Sequence, residues 1–185
     1  VEPLTKYAHM ITSKEEAASV IHKAIDIANS GRKGPVWIDI PLDLQSAHIE
    51  ITEDNKPEVN SEILPKAKPD EILSTSNALG NAQRPLVLIG SGVRLSGAVK
   101  EFSQLVEKWN MPVVYAASSP DIYGSAHDLS IGSVGAMGCS RAGNFAVQNC
   151  DMLLVLGHRM TSLTTGSDYC KFAREATIHI VDIDE

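Results

Sequence analysis

Short runs of apolar residues alternate along the chain with segments in which apolar positions recur every three or four residues. The first of these segments follows Thr12-Ser13, and Glu16 completes a capping box, so a helix is predicted that ends at Asn29-Ser30-Gly31. Gly34-Pro35 then leads into a predicted strand, Val36 to Ile40. One strand and one helix cannot cover each other's apolar faces, so this αβ unit is only part of a domain.

The periodicity disappears from residue 46 to residue 68, where charged residues and prolines dominate. More than twenty residues without a pattern are unusual inside a compact domain. This stretch is therefore predicted to be an inter-domain linker between residues 1–45 and residues 69–185.

After residue 69 the two patterns alternate regularly. The predicted elements are a helix Asp70–Ala82, a strand Leu86–Ile89, a helix Ser96–Trp109, a strand Val113–Ala116, a loop-rich stretch Ala117–Cys139, a helix Ser140–Asn149, a strand Met152–Leu156, a polar loop His158–Gly166, a short helix around Asp168–Arg174 and a strand Thr177–Ile183. Alternating strands and helices, with glycine at several strand ends, predict a three-layer α/β/α doubly wound parallel sheet of the Rossmann-like type. The αβ unit precedes it.

Ligands of such sheets bind in the loops that follow the carboxyl ends of the strands. Four predicted loops converge there, Gly90–Arg94, Ala116–Asp121, Gly157–Thr165 and Asp182–Glu185, with Gly132–Gly138 able to cover them. The turn Gly90-Ser91-Gly92 would admit a phosphate close to the backbone, Arg159 would supply positive charge, and Asp182 or Asp184 could accept ribose hydroxyls. Each also has a simpler interpretation: a turn that binds nothing, a solvated cation and polar residues at the end of a sheet.

Composition excludes several functions. The net charge of −7 without a basic cluster argues against nucleic-acid binding. Three cysteines without paired spacing favour a reducing, cytoplasmic compartment, and no apolar run approaches a membrane span. The six histidines are scattered, so no metal site is predicted, and the sequence shows no nucleophile-elbow, Walker or zinc-protease motif and therefore no catalytic residue. The chain begins without Met, as an excised piece would.

Several motifs resemble one enzyme family. GPVWIDIPLDLQ at Gly34–Gln45 resembles the end of the pyrimidine-binding domain of thiamine-diphosphate enzymes of the acetolactate-synthase-like family. PLVLIGSGVR, the run Ala146–Met160 and the ending Phe172–Glu185 resemble the central domain of that family, in the same order. The resemblance therefore implies that residues 1–45 end the first domain, residues 46–68 form the linker, and residues 69–185 form a central domain truncated at its C-terminal end.

The resemblance implies a homodimer or tetramer acting as a lyase or transferase on a 2-oxo acid such as pyruvate. Thiamine diphosphate and Mg²⁺ would lie between domains of two subunits. The activating glutamate and the metal motif of the family would lie before Val1 and after Glu185, in missing N- and C-terminal portions of the polypeptide. The chain is then a fragment that cannot catalyse carboligation or decarboxylation by itself.

Acetolactate synthases also bind FAD in this domain as a structural cofactor. Carried over residue by residue, the cofactor-binding candidates are Gly90, Ser91, Gly92, Gly135, Gly138, Arg159, Asp182 and Asp184. The sequence departs from the flavin-binding pattern, since Leu163 replaces an arginine and Thr161-Ser162 replace an acidic pair. FAD, another nucleotide and an empty structural domain all stay open. The alternative function is a stand-alone NAD- or ADP-binding Rossmann-like module.

Overall fold

The computed structural model describes residues 1–49 and 65–184, and the chain divides into two compact units, Val1–Pro65 and Lys66–Glu185. The first unit contains a 3-10 turn Glu2–Leu4, strand β1 Ala8–Met10, helix α1 Lys14–Asn29, strand β2 Trp37–Asp39 and helix α2 Leu42–Gln45. Strands β1 and β2 pair in parallel, so the helix between them makes a βαβ unit. The predicted helix is confirmed, and β1 was not predicted because three residues are too few to show a period.

The second unit is built on one parallel sheet. Its elements are α3 Pro69–Asn81, β3 Pro85–Ile89, α4 Gly92–Leu95, α5 Val99–Trp109, β4 Val113–Tyr115, β5 Ser130–Ser133, α6 Arg141–Asn149, β6 Met152–Leu156, α7 Ser162–Thr165, a 3-10 turn Tyr169–Lys171 and β7 Thr177–Val181. The strand order is β5-β4-β3-β6-β7, with every neighbouring pair parallel. The predicted doubly wound three-layer architecture is confirmed.

Strand β3 lies at the centre of this sheet and is buried on both faces. Val87 and Ile89 face a cluster that contains Phe102 and Val106 of α5, whereas Leu86 and Leu88 face a second cluster on the other side of the sheet. Alternate side chains of a strand point to opposite faces, so a continuous apolar run is what a strand covered on both faces requires.

Helix α4 lies largely inside the predicted loop Gly90–Arg94, and after β4 the structure corrects three further predictions of local structure. Strand β5 lies inside the predicted loop Ala117–Cys139, and α7 lies inside the predicted loop His158–Gly166. The predicted helix around Asp168–Arg174 is reduced to the 3-10 turn Tyr169–Lys171. Strand β5 is an edge strand of sequence SIGS that is specified by pairing with β4 rather than by its own side chains.

The ends of two predicted elements also differ from those in the structure. The helix expected from Ser96 begins at Val99, because Gly97 adopts a φ of 76° between α4 and α5. The last strand ends at Val181 rather than at Ile183. The predicted linker, residues 46–68, lies largely outside the described residues.

Candidate functional site

The carboxyl ends of β3 and β6 form the place where the strand order changes direction. From β3 the chain moves outward through β4 and β5, and it then returns to the other side of β3 as β6. In open parallel sheets this switch point opens a crevice between the loops that follow the two strands. Here those loops are the Gly90–Gly92 turn and the segment that begins at Gly157.

The glycines of these two loops are packed backbone against backbone. A Cβ on Gly90 would lie 2.3 Å from the carbonyl oxygen of Gly157, and one on Gly92 would lie 2.6 Å from the Cα of Gly157. The amide of Gly90 donates to Leu156, that of Gly92 to Gly157 and that of Val93 to Gly90. These amides are therefore already used within the chain, and the glycines meet a packing requirement that the sequence does not reveal.

The acidic and basic candidates lie at the ends of β6 and β7. The Arg159 guanidinium lies 3.5 Å from the Asp184 carboxylate, with 62% of the Arg159 side chain and 51% of the Asp184 side chain exposed. The Asp182 carboxylate accepts the amides of Ile183, at 2.8 Å, and Asp184, at 3.3 Å. The structure thus brings Arg159 and Asp184 together, and such an exposed pair is worth little to stability.

The Gly135 loop is held by two helices. The Asn144 side chain on α6 accepts the Gly135 amide and donates to the Gly135 carbonyl, both at 3.0 Å. The Ala136 amide donates to the Leu163 carbonyl of α7 at 2.8 Å. Gly135 has a φ of 141°, and a Cβ on it would lie 2.7 Å from that carbonyl, so a side chain at this position would push the loop off α7.

Gly138 and the beginning of α6 border an open surface. Gly138 has a φ of 64°, and a Cβ built on it would meet nothing within 4 Å. Its carbonyl accepts the Ser133 hydroxyl at 3.1 Å. A shallow groove next to it is lined by Cys139, Ser140, Arg141, Asn144, Phe145 and Gln148.

The loop after β4 is joined to the first glycine turn. Arg94 of α4 forms an ion pair with Asp121. Ser119 is fully buried and donates its hydroxyl to the Ile89 carbonyl at the end of β3, at 2.9 Å. The predicted convergence of Gly90–Arg94 and Ala116–Asp121 is therefore present in the fold.

His158 is the buried ionisable residue of the site. It is 8% exposed, its Nδ1 lies 2.8 Å from the Met160 amide, and its Nε2 lies 3.1 Å from the Thr164 hydroxyl. Burial lowers the pKa of His158, and the Asp182 carboxylate raises it by a smaller amount. The sequence places His158 only in a loop after a predicted strand, because its partners depend on the fold of the turn.

The cysteines and His179 also lie in the sheet unit. The three cysteines are free, and burial raises the pKa of the Cys150 thiol to about 11, so this thiol stays protonated at neutral pH. The Thr75 hydroxyl lies 2.9 Å from Nδ1 of His179, so this ring nitrogen has a hydrogen-bond partner.

Among residues 1–49 and 65–184 there is no cluster of His, Cys, Asp and Glu suited to a metal ion. In the same part of the chain no helix is long and apolar enough to cross a bilayer.

The parallel strand order, with its switch point between β3 and β6, defines a Rossmann-like α/β domain. A family model described as the central domain of thiamine pyrophosphate enzymes matches residues 74–185. The chain belongs to this family of thiamine-pyrophosphate-dependent enzymes.

Curated relatives extend the similarity over almost the whole chain. The chain is 36% identical to a probable acetolactate synthase large subunit of Methanocaldococcus jannaschii and 36% identical to the isozyme 1 large subunit of Escherichia coli, over 98% of its length in both cases. It is 32% identical to the acetolactate synthase large subunit of Lactococcus lactis. The chain spans 31% or 32% of the length of these relatives. The similarity includes the βαβ unit, so the alternative of a stand-alone nucleotide-binding module is not supported.

Proposed function

We propose that the whole protein is a thiamine-diphosphate-dependent lyase or transferase of the acetolactate synthase type that acts on a 2-oxo acid such as pyruvate. The observation that carries the proposal is the similarity to acetolactate synthase large subunits over 98% of this chain. In this proposal residues 1–45 end the pyrimidine-binding domain, residues 46–68 link it to the central domain, and residues 69–185 form the central domain. The protein would be a cytoplasmic homodimer or tetramer.

When bound, thiamine diphosphate would supply carbanion chemistry toward the 2-oxo acid, with Mg²⁺ as its metal. The described residues offer no carboxylate or histidine cluster for that metal. We therefore assign cofactor and metal to parts of the protein other than residues 1–49 and 65–184. The role of this chain is to connect those parts through its parallel sheet.

The experiment is an acetolactate assay with pyruvate, thiamine diphosphate and Mg²⁺ on the complete gene product and on the 185-residue chain. Turnover by the complete product and none by the chain is the expected result. Turnover by the chain alone would show that its own residues perform the chemistry. A complete product that binds thiamine diphosphate but leaves every 2-oxo acid unchanged would refute the proposed activity.

A second proposal concerns a nucleotide-type ligand, FAD or an ADP-like molecule, at the strand-end site. The exposed Arg159–Asp184 pair and the open backbone at Gly138 favour it. The amides of Gly90 and Gly92 fit a pyrophosphate poorly, because both are donated to carbonyls of the chain. The Gly135 amide is likewise donated, to the Asn144 side chain. The contacts proposed are therefore Ser91, Gly138, Arg159, Asp182 and Asp184, with Gly90, Gly92 and Gly135 shaping the loops around them.

Titration with FAD and with ADP, comparing Arg159→Gln with Lys171→Gln, tests this second proposal. Lys171 is also an exposed cation and pairs with Asp168 at 3.1 Å, which makes it a matched control. Loss of a charge-assisted hydrogen bond is expected to weaken binding about 10-fold or more in Arg159→Gln. Equal affinities of the two variants would refute the assignment, and no binding by the unaltered protein would favour an empty structural domain.

A further inference from the structure

His158 connects the loops at the carboxyl ends of β3 and β6. Its Cβ would lie 2.7 Å from a Cβ on Gly90, so its backbone and side chain lie directly against the first glycine turn. Its ring contacts α7 through Thr164, and α7 receives the Ala136 amide through the Leu163 carbonyl. His158 thus contacts the turn after β3 through its Cα and Cβ, and its imidazole is connected through α7 to the Gly135 loop.

The hydrogen bonds define the protonation state of this ring. The Met160 amide can only donate, so Nδ1 of His158 must carry a lone pair. The proton of the neutral ring is therefore on Nε2, which donates to the Thr164 hydroxyl. Addition of a second proton, at Nδ1, would eliminate the acceptor for the Met160 amide.

The bond to Met160 holds a backbone conformation that is unfavourable by itself. Met160 has a φ of 51°, a left-handed conformation that residues other than glycine rarely adopt. The next residues lead directly into α7, where Thr164 is buried. Loss of the Nδ1 bond would therefore release the turn at Met160 and, with it, α7 and the Ala136 contact.

We propose that neutral His158 is a positioning residue that holds α7 and the Gly135 loop over the carboxyl ends of β3 and β6, and that protonation at Nδ1 releases them. The arrangement of α7 and the Gly135 loop therefore depends on pH. The consequence for nucleotide affinity rests on the proposed nucleotide site, whereas the release of the loops does not.

The charged groups around the ring favour neutrality on balance. The carboxylate of Asp182, at the end of β7, attracts a proton, but burial of the ring opposes protonation more strongly. Arg159 on the same loop is paired with Asp184. Neither the Gly90–Gly92 turn nor α7, of sequence SLTT, contains an ionisable side chain.

Hydrogen exchange of the Ala136 amide, measured by mass spectrometry with residue-level fragmentation at pH 7.5 and pH 5.0, tests this proposal in the protein without ligand. The Ala136 contact requires a neutral His158, so it should open more often as the pH falls below about 6.5. The protection of the Ala136 amide should therefore be about 10-fold lower at pH 5.0 than at pH 7.5, and the decrease cannot exceed about 30-fold. The control amide is Ala116, which donates to Ile89 at 3.1 Å in the same sheet and should keep its protection.

Three variants separate positioning from general stability. In His158→Asn the amide oxygen replaces Nδ1 as acceptor and does not titrate, so protection of Ala136 should no longer depend on pH. In His158→Ala it should be low already at pH 7.5. Thr164→Val removes only the Nε2 partner and should lower protection of Ala136 while that of Met160 persists.

A pH-independent Ala136 amide in the unaltered protein would overturn the proposal, as would the same pH dependence in His158→Asn. Protection of the Ala116 amide verifies that each variant has folded. If no nucleotide binds, the exchange result still decides the role of His158, so the two proposals can fail separately.

Discussion

The main-chain amide of Gly92 donates a hydrogen bond to the carbonyl oxygen of Gly157 across 3.0 Å. This bond joins the loops after two neighbouring strands at the point where the sheet changes direction. A glycine-rich turn in this position is normally taken as a phosphate cradle. In this protein the lack of side chains at Gly92 and Gly157 allows the backbones of the two loops to pack in direct contact.

Gly157→Ala is expected to destabilise the sheet unit strongly. Its φ is 57°, and the new Cβ would lie 2.6 Å from the Cα of Gly92. The strain of a left-handed backbone at alanine, together with overpacking, should lower the free energy of unfolding by roughly 2–4 kcal/mol. The measurement is guanidinium unfolding followed by the fluorescence of Trp109 in a Trp37→Phe background.

Two other glycines provide the controls for that measurement. Gly124 has a φ of 78° with nothing near its Cβ, so Gly124→Ala should cost only the backbone strain, about 1–2 kcal/mol. Gly80 lies in α3 in open space, and Gly80→Ala should stabilise by about 0.5–1 kcal/mol. If Gly157→Ala lowers the free energy of unfolding by no more than Gly124→Ala does, the two loops are not closely packed at Gly157.

Asp151 is expected to make stability depend on pH in the acidic range. Burial raises the pKa of its carboxyl, but the bonds from the amides of Arg84 and Gln83, at 2.9 and 2.8 Å, outweigh burial and leave the pKa lowered. The stabilisation is therefore complete above the unfolded pKa, about 3.9, and is lost as the pH falls through the lower folded pKa.

Asp151→Asn should lower the free energy of unfolding by about 1 kcal/mol at pH 7, a value reduced from that of buried charged hydrogen bonds because Asp151 is only half-buried. The difference from the unaltered protein should shrink below pH 4. Asp128→Asn, at an exposed position, serves as the control and should change stability little at either pH. A constant difference between pH 7 and pH 3 would contradict the assigned role of the Asp151 carboxylate.

Glu16 should titrate far below an ordinary glutamate. The amide and hydroxyl of Thr12 donate to its carboxylate at 2.5 and 2.7 Å, and they lower its pKa to about 2. Its contribution to α1 is thus present above pH 4.5 and is lost as the pH falls toward 2. Carbon-detected NMR titration of the Glu16 carboxyl measures this directly.

Thr12→Val removes the hydroxyl donor but keeps the amide, so the pKa of Glu16 should rise partway toward its ordinary value. Thr12→Ser keeps both donors and should leave the titration unchanged. An unshifted pKa in Thr12→Val would contradict the role assigned to the hydroxyl, and a shift in Thr12→Ser alone would indicate that the methyl group of Thr12 affects the carboxylate.

Local sequence was sufficient where an element carries its own pattern. The capping box at Ser13 and Glu16 and the apolar runs of β3 and β6 predicted helix α1 and the two central strands, because burial on one face or both dictates the period of apolar residues. The motifs by themselves also indicated the enzyme family.

Other parts depended on contacts between residues that are distant in sequence. Strand β5 exists because β4 offers it backbone partners, and α7 is fixed by His158 and by the Ala136 amide. Neither element has a periodic pattern of apolar residues from which it could have been predicted.

The sequence by itself determined the alternation of strands and helices, the parallel sheet and the family, since each depends on the kind and spacing of residues. The tertiary structure alone decided what the glycines and His158 contact. Gly90 and Gly92 became packing surfaces because Gly157 lies against them, and His158 became a neutral, buried ring because Met160 and Thr164 occupy both of its nitrogens. The physical reason is that close approach and desolvation arise between loops, where no single segment encodes them.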